Sequence, residues 1–420
     1  MDFDDTPQDA AFRAEARTWI NANAPVHLRS TLHASAVGEF NRADAKTIAD
    51  AKAWQKKKCD AGWACLHWPK EYGGREATPI QRVIWDEEEG PYASLGGIYL
   101  ICHNMCGPTM LAYASEDLLR RYMTRMAAGE LICCQLFSEP AGGSDLAGLR
   151  TRAAPAEDGS GDWIVNGQKI WTSGAHFADM GLLLARTDPS TPKHKGLTMF
   201  FLDMKTPGVE VRPIKQANGQ FGFNEVFFTN VRIKDDHRIG AVGEGWRASL
   251  TTLMNERFGA FADMAPGLAE LFELCGQLQT DAGSALDDRM VRARLAQWAT
   301  RLSGLKYLGF RTRSAISRGV SPGPENSIGK LVGAAMSQDI AMFALDLMAQ
   351  HGAVLDPSTT ALSTVFQNIL MRSPGGRIEG GSDEIMRNII AERVLGLPGD
   401  VRVDKNVAFI DIPTAIMPSA

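Results

Sequence analysis

The sequence lacks any excess of positive charge. Its 44 Lys and Arg residues are outnumbered by 49 Asp and Glu residues, which gives a formal net charge of −5 at pH 7. Nucleic acids and anionic membrane surfaces attract proteins through clustered positive charge. We therefore expect neither a nucleic acid nor a membrane among the partners of this chain.

The sequence also lacks a basic, apolar leader and long uncharged apolar runs. It opens with the acidic stretch MDFDDTPQD, whereas export signals are basic and apolar. No uncharged run approaches the roughly 20 residues that cross a bilayer. With 45% hydrophobic and 22% charged residues among 420, the composition indicates a globular protein of two or three domains. We expect a cytoplasmic location.

Cysteine and histidine are too sparse and irregular to indicate a metal centre. The seven cysteines are an odd number, and Cys102 and Cys106 flank His103 without a second matching pair. Cys133 adjoins Cys134, and no two histidines stand at the spacing of zinc ligands. We interpret the cysteines as buried free thiols and expect no metal.

Three common nucleotide and hydrolase motifs are missing as well. The sequence has no GxGxxG after a strand, no Walker phosphate loop and no GxSxG. Dinucleotide binding of the Rossmann type, P-loop chemistry and the nucleophile elbow of α/β-hydrolases therefore lose their sequence signatures.

The residue pattern along the chain changes from helical to β-rich and then back to helical. Charged and apolar residues alternate at helical spacing up to about residue 130. Short β-rich segments follow from Leu131, separated by Gly, Pro, Asn and Asp, and VNGQ within them predicts a hairpin turn. Long helical segments then return. We predict a helical domain (1–130), an antiparallel barrel or sandwich (131–240), a second helical domain (241–405) and an apolar tail (406–420) that drapes over a neighbouring subunit or frays.

Two segments of the β-rich region carry candidate ligand contacts. FSEPAGGSD ends a strand in a turn where Gly142 and Gly143 allow close backbone approach, so it is either a phosphate-binding loop or a plain tight turn. In GQKIWTSG, Trp171 stands two residues before Ser173. It is either a half-buried strand residue or a surface that stacks on a planar ring whose edge bonds the hydroxyls.

A third candidate lies near the C-terminus, in RIEGGSDEIMRNIIAERV. Ser382 is a good helix N-cap before an apolar pattern, and Gly380 and Gly381 precede it. Such a helix start attracts anions because its backbone N–H groups point outward. The carboxylate of Glu379 beside it is either a catalytic base or a side chain directed away from the site.

Taken in order, five motifs resemble a known family. FSEPAGGSD, NGQKIWTSG, FNEVFFTNVRI, GEGW and EGGSDEIMRNIIAERVLGLP occur in the order and at the spacing of the acyl-CoA dehydrogenase flavoproteins, and HWPKEYGG and RRYMTRMAAGE extend the resemblance over nearly the whole chain. The family fold is an N-terminal helical domain, a middle antiparallel β-barrel and a C-terminal four-helix bundle. The resemblance implies FAD-dependent oxidation of an acyl-CoA thioester to the trans-2-enoyl-CoA in lipid metabolism and β-oxidation. It also implies an electron-transferring flavoprotein as acceptor and a homodimer or homotetramer.

The resemblance assigns roles residue by residue. Its implied FAD contacts are Gln135, Phe137, Ser138, Ser144, Trp171, Ser173, Ser382 and Glu384. Ser144 resembles a serine that meets the diphosphate or the pantetheine, and Gly381 a glycine beside the thioester. Two family features are absent: the Arg and Phe that hold the adenine have no match in ELFELCGQLQTDAG, and Ala349 stands where Gln is usual. We assign no adenine contacts.

Two carboxylates compete for the role of catalytic base. Many family members supply it from a Glu-Gly-Thr pattern, but alignment on the Ser382 cap puts Gly380 at the Glu position and leaves Glu379 one residue early. Other members place it in a Glu-Arg pair at the start of the helix after the barrel, which Glu256 and Arg257 match. We predict that Glu256 is the base and Arg257 a substrate contact.

Other functions of the same fold stay open. They are an acyl-CoA oxidase, a flavin monooxygenase, and a non-catalytic partner subunit or nucleic-acid-binding relative. A monooxygenase would not need Glu256, and both Glu256 and the net negative charge argue against the last class. The acyl group is not determined: straight, branched, aromatic and sterol-derived thioesters are all compatible.

Overall fold

A computed structural model describes most of the chain, and its contacts divide it into two units. The first, which we call the sheet unit, comprises 5–216, 220–259 and 400–420, and the second, the C-terminal unit, lies mainly in 260–399. The described residues are 5–29, 44–256, 267–280, 283–316, 318, 323–356, 364–401 and 403–413.

The sheet unit begins with helices whose starts follow capping residues. The Thr78 hydroxyl accepts from the backbone of Gln81, whose side chain bonds back to Thr78, while Pro79 occupies the first helical position. Ser115 caps the last helix of the group with a single bond, in which its hydroxyl accepts from the Leu118 backbone N–H. In the described part these helices are α1 (Pro7–Asn23), α2 (Ala45–Asp60), α3 (Pro79–Glu89), α4 (Ala93–Gly96), α5 (Gly107–Tyr113) and α6 (Glu116–Ala127). The N-terminal helical region is confirmed.

A mostly antiparallel sheet follows α6. Its strands are β1 (Cys133–Leu136), β2 (Arg152–Pro155), β3 (Trp163–Ser173), β4 (Met180–Arg186), β5 (Leu197–Asp203), β6 (Val209–Ile214), β7 (Phe223–Ile233) and β8 (Arg238–Ile239). Their order is β6-β7-β3-β2-β4-β5-β8, with β1 beside β4. The expected middle β domain is confirmed, although β1 and β2 both run parallel to β4.

Strands β4 and β5 are buried along almost their whole length because both faces of the sheet are covered. Along β4, Leu182 and Leu184 lie in the core shared with the N-terminal helices, whereas Leu183 and Ala185 lie in a second core on the other face. Successive side chains of a strand point to opposite faces, so a strand between two cores has no solvated side.

The hairpin predicted at VNGQ is wrong. These residues lie inside β3, where the pairing with β7 shifts register between Val165 and Gly167. The Asn166 side chain bonds to the backbone and side chain of Asn230. Gly167 has φ +150° and lies so close to Thr151 that an added Cβ would be 2.7 Å from its Cα. The glycine therefore serves a bulge and a close approach of strands rather than a turn.

Helix α7 (Gly245–Glu256) closes the sheet unit, and the C-terminal unit is largely helical. In its described part lie α8 (Leu268–Gln277), α9 (Arg289–Ile316), α10 (Ser327–Met348), α11 (Val365–Gly376) and α12 (Asp383–Ile389), with the short strands β9 (Gln279–Thr280) and β10 (Gly283–Ser284). Leu271, Trp298, Ile340, Ala344 and Phe366 form part of its core. The C-terminal helical bundle is confirmed.

Helix α10 is the central apolar helix of this bundle. Within the described residues, the stretch 324–353 alone is long and apolar enough to cross a membrane by length and composition. Met336, Ile340 and Ala344 of the same helix are buried against neighbouring helices of the unit. A core helix of a globular bundle meets the same criterion.

The described part of the tail packs on its own sheet unit. Ala408 pairs with Pro192 in an isolated antiparallel bridge, and the Phe409 backbone N–H donates to the Thr191 carbonyl at 2.9 Å. Residues 403–413 are therefore packed rather than frayed, whereas 414–420 lie outside the described residues. Draping of the tail over a neighbouring subunit stays a prediction.

Candidate functional site

The expected flavin-facing strand ends beside β3. The Phe137 carbonyl accepts from Lys169 Nζ at 2.9 Å, and the Ser138 carbonyl accepts from the Ile170 backbone N–H at 2.9 Å. Gln135, earlier on the same strand, is half-buried. Two distant parts of the sequence, the end of β1 and the end of β3, are thus placed side by side.

Trp171 projects from the sheet because β3 contains a second bulge. Ile170 and Trp171 together oppose the single residue Glu225. Trp171 has φ +58°, a left-handed conformation that is uncommon for a bulky residue. Its indole is 57% exposed and meets Phe223 edge-on with ring centroids 6.0 Å apart. A large aromatic face is held outward on strained backbone, which is a frequent property of ligand sites.

Two hydroxyls follow the exposed indole. Thr172 is 1% exposed, and its Oγ1 has no hydrogen-bond partner among the described residues, which is rare for a buried hydroxyl. Ser173, the last residue of β3, is half-buried. An open aromatic face, followed in sequence by a buried unpartnered hydroxyl and by the half-buried Ser173, fits a planar ring with a polar edge. This part of the structure therefore fits the flavin that the resemblance implies.

A buried ion pair missed by the sequence reasoning supports this region. Lys169 is fully buried and donates from Nζ to Glu139 Oε1 at 2.9 Å. Glu139 also accepts from the backbone N–H groups of Arg150 and Thr151 at 2.7 and 2.8 Å. Burial lowers the pKa of Lys169 to about 8 against the opposing effect of Glu139. Burial disfavours the Glu139 anion, yet Lys169 and the backbone donors hold its pKa below the usual value.

The segment 139–151, which we call the glycine-rich loop, begins at Glu139 and ends at the backbone N–H groups that bond to the Glu139 carboxylate. Glu139 and Gly142 exchange two backbone hydrogen bonds of 3.0 Å, which closes a tight turn. Nothing lies within 4 Å of a Cβ built on Gly143, and Ser144 after it is exposed. The loop thus presents backbone and a hydroxyl to solvent while both of its ends are anchored.

Helix α7, which carries the predicted base, packs on α5. Thr109 Oγ1 and Thr252 Oγ1 are 2.8 Å apart in a fully buried contact. Glu256 is the last residue of α7, which begins at Gly245, so the predicted position at the start of this helix is wrong. The side chain of Glu256 is outside the described part. Arg257 also lies outside the described residues.

The remaining predicted contacts lie in the C-terminal unit. Ser382 is the N-cap of α12, as predicted, and its Oγ accepts from the Ile385 N–H at 3.4 Å. Gly381 has φ +100°, and its carbonyl accepts a hydrogen bond from Lys330 Nζ. Glu384 is exposed, and its pKa is lowered by its own backbone N–H and by Ser382, as expected at the positive end of a helix.

Glu379 is engaged within the C-terminal unit. Its Oε2 accepts a hydrogen bond of 2.5 Å from Arg372 Nη2. Nearby, Arg377 Nε donates to the buried Asp383 carboxylate at 2.7 Å. Both ion pairs brace the turn before α12.

Metal ligation finds no support where the structure is described: these residues contain no group of three or more His, Cys, Asp or Glu side chains placed to hold a metal ion. Cys102 Sγ lies 3.3 Å from Cys133 Sγ as a buried free thiol.

Comparison with protein families matches three models along the chain. The acyl-CoA dehydrogenase N-terminal domain matches residues 6–130, the middle domain residues 134–231 and the C-terminal domain residues 243–395. The matches leave few residues of the chain uncovered.

Curated relatives carry the same family name. Acyl-CoA dehydrogenase FadE34 of Mycobacterium tuberculosis is 37% identical over 366 residues, which are 84% of this chain and 48% of that protein. Acyl-CoA dehydrogenase IpdE1 of the same organism is 33% identical over 397 residues, which are 93% of this chain and 98% of the relative. The chain spans about half the length of the first and nearly all of the second.

Solved structures share the fold. The ChsE4-ChsE5 complex from Mycobacterium tuberculosis contains a chain 27% identical to this one, with a TM-score of 0.77 over 95% of this chain and 100% of that one. A structure named Tcur3481-Tcur3483 steroid ACAD has 25% identity and a TM-score of 0.77 over the same shares.

Proposed function

The chain belongs to the acyl-CoA dehydrogenase family of FAD-dependent oxidoreductases, and we propose that it converts a saturated acyl-CoA thioester to the trans-2-enoyl-CoA with Glu256 as the base. When bound, FAD supplies the acceptor for the hydride that leaves the β-carbon. The observation that carries the proposal within this chain is the outward Trp171 on its strained bulge, followed in sequence by the buried and unpartnered Thr172 hydroxyl.

In this mechanism the chain's own residues position the reactants and move one proton. Glu256 takes the proton from the α-carbon, which needs a carboxylate within hydrogen-bond reach of that carbon. Arg257 and Gly381 contact the thioester. The flavin is held by Gln135, Phe137, Ser138, Trp171, Ser173, Ser382 and Glu384. Ser144 meets either the FAD diphosphate or the pantetheine of the substrate.

The finer assignments belong to the same proposal. The electron acceptor is an electron-transferring flavoprotein, the assembly is a homodimer or homotetramer, and the location is the cytoplasm. The domains are 1–130, 131–240 and 241–405, with the tail at 406–420. The similarity to a protein named a steroid ACAD supports sterol-derived thioesters as the first substrates to try.

The deciding experiment is anaerobic titration of the FAD-loaded protein with a panel of acyl-CoA thioesters. The panel contains straight-chain, branched, arylpropionyl and sterol side-chain thioesters, together with matched free acids as controls. Loss of the oxidised flavin absorbance near 450 nm, together with formation of the enoyl-CoA detected by mass spectrometry, is the expected result for at least one class. No bleaching by any thioester would contradict a dehydrogenase and leave the partner-subunit alternative.

The acceptor and the assembly are tested separately. Rapid reoxidation of the substrate-reduced protein by an electron-transferring flavoprotein, with slow reoxidation by dissolved oxygen, is expected. The reverse ratio would establish an acyl-CoA oxidase. Light scattering at micromolar concentration should give two or four times the mass of 45.7 kDa, whereas a monomer, or activity that requires a second gene product, would refute the homo-oligomer.

A further inference from the structure

The described end of the chain, 403–413, which we call the strap, crosses the sheet unit next to the glycine-rich loop. Its backbone pairs with the turn after β4, through Phe409 N–H to Thr191 O at 2.9 Å and Ile410 N–H to Pro189 O at 3.0 Å. The strap thereby packs against two cations that contact the glycine-rich loop, Arg186 and Lys193.

Arg186 is the first of these cations. Its guanidinium donates to the carbonyls of Ala147 and Leu149 at 2.6 and 3.1 Å, both in the glycine-rich loop. The Phe409 ring centroid lies 3.5 Å from the guanidinium carbon, and Arg186 is 3% exposed. A cation–π contact is strongest where water is excluded. Phe409 of the strap therefore covers the guanidinium of Arg186, which in turn anchors the backbone of the glycine-rich loop.

Lys193 is the second cation. Its Nζ is 3.0 and 3.2 Å from the two carboxylate oxygens of Asp145 and 2.7 Å from Asp404 Oδ2 in the strap. Only 14% of the Lys193 side chain is exposed. Burial disfavours the ammonium, but Asp404 and Asp145 keep its pKa above the usual value. One cation thus joins the strap to the residue after Ser144.

We propose that the strap is a positioning element of the site, which holds the glycine-rich loop in its ligand-binding conformation through Phe409 on Arg186 and Asp404 on Lys193. The loop then meets a phosphate-bearing ligand with Ser144 and its exposed backbone already ordered. Pre-ordering a loop strengthens binding, because less conformational freedom is lost when the ligand arrives. The neutralisation of Asp145 by Lys193 also removes a negative charge from the approach of a phosphate.

The ligand chemistry is a diphosphate group, which both FAD and the CoA thioester carry. The inference rests on the proposed function for the identity of these ligands, but the ordering of the loop by the strap is measurable without any turnover. Hydrogen–deuterium exchange of the FAD-loaded full-length protein reports the amides of 139–151 directly.

The test variants are Phe409→Ala and Asp404→Asn, with Ile410→Ala and Asp411→Asn as matched controls. Ile410 is 70% exposed and Asp411 is exposed, so the controls remove similar groups that lie outside the two contacts. We expect roughly tenfold faster exchange of the loop amides in each test variant, and no change in either control. Phe409→Tyr, which keeps an aromatic ring, should leave the loop amides as protected as in the wild type, whereas Phe409→Leu should exchange as fast as Phe409→Ala.

Two functional arms separate the possible ligands. A rise of about tenfold in KM for the acyl-CoA with kcat changed less than about threefold indicates that the loop meets the substrate, and a similar rise in the FAD dissociation constant indicates the cofactor. Unchanged loop exchange in both Phe409→Ala and Asp404→Asn would overturn the proposal. Faster exchange spread equally over the whole sheet unit in both variants would also overturn it, because the strap would then be a general support. Lack of activity in the wild type would refute the proposed function and leave the exchange result intact.

Discussion

Arg372 donates a hydrogen bond of 2.5 Å to Glu379, and this pair spans the end of α11 and the glycines before α12. The carboxylate that stands next to the cap of Ser382 is therefore already engaged inside the C-terminal unit. Both side chains are partly exposed, 26% for Arg372 and 44% for Glu379, so the pair is worth about 0–1 kcal/mol to stability. Glu379 is thus a local brace, which leaves the role of base to Glu256 in our proposal.

The two carboxylates should respond differently to removal. Glu256→Gln keeps the side-chain shape but removes the proton acceptor, so flavin reduction should fall by about 10²–10⁴-fold while thioester binding persists. Glu379→Gln should retain most of the rate. Stopped-flow recording of flavin bleaching with one good substrate compares them. Abolished reduction in Glu379→Gln together with normal reduction in Glu256→Gln would reverse the assignment.

Trp171→Ala should weaken FAD retention, because the variant removes a 57% exposed aromatic face. We expect the FAD dissociation constant to rise by about tenfold and the flavin absorbance spectrum to shift. The FAD dissociation constant of Trp171→Phe should lie between those of the wild type and Trp171→Ala. Phe221→Ala is the matched control, since Phe221 is a 49% exposed aromatic in the same unit. Equal FAD content and spectra in Trp171→Ala and the wild type would remove Trp171 from the site.

Lys169→Met should destabilise the protein by about 3–5 kcal/mol, because it leaves the buried Glu139 carboxylate without its counter-charge. The double variant Lys169→Met/Glu139→Gln should recover much of this loss, since a neutral amide needs no counter-ion. Lys205→Met at an 80% exposed lysine is the control. Urea unfolding midpoints of the FAD-loaded variants measure the effect. A double variant less stable than the single one would show that the ion pair is not the source.

Stability should fall as the pH drops from about 6.5 to about 4, partly through His103. Its Nε2 donates to the Met126 carbonyl at 2.8 Å, and burial lowers its pKa from 6.5 to about 4. In that window the unfolded chain binds the proton and the folded chain does not, so acid favours unfolding and the stability is fully present above pH 6.5. The loss from this residue is on the order of 3 kcal/mol by pH 4.

His103→Gln tests this dependence by removing the titrating group. The slope of the unfolding free energy against pH between 4 and 6.5 should decrease in this variant, and it should stay the same in His27→Gln, where the histidine is exposed. An unchanged slope in His103→Gln would show that other groups carry the acid dependence.

Local sequence rules predicted the parts of this protein that depend on neighbours in the chain. The Ser382 cap, the change from helices to strands and back, and the ordered motifs were all readable, because caps and apolar periodicity act over a few residues. The burial of Lys169 was also within reach. It has the phase of the inward-facing Trp163 and Val165 along β3, and period two places it toward the core.

Only the tertiary structure decided which distant groups meet. The partner of Lys169, Glu139, lies 30 residues away, and Lys193 joins Asp145 to Asp404, more than 200 residues later in the chain. The pairing of β3 with β7 makes VNGQ part of a strand, and the bulge in that pairing directs Trp171 outward. Such contacts form only when the chain closes long loops, and the free energy that selects them comes from packing and charge neutralisation between segments. The residues next to Lys169 or Lys193 in the sequence therefore do not indicate which distant group each of them will contact.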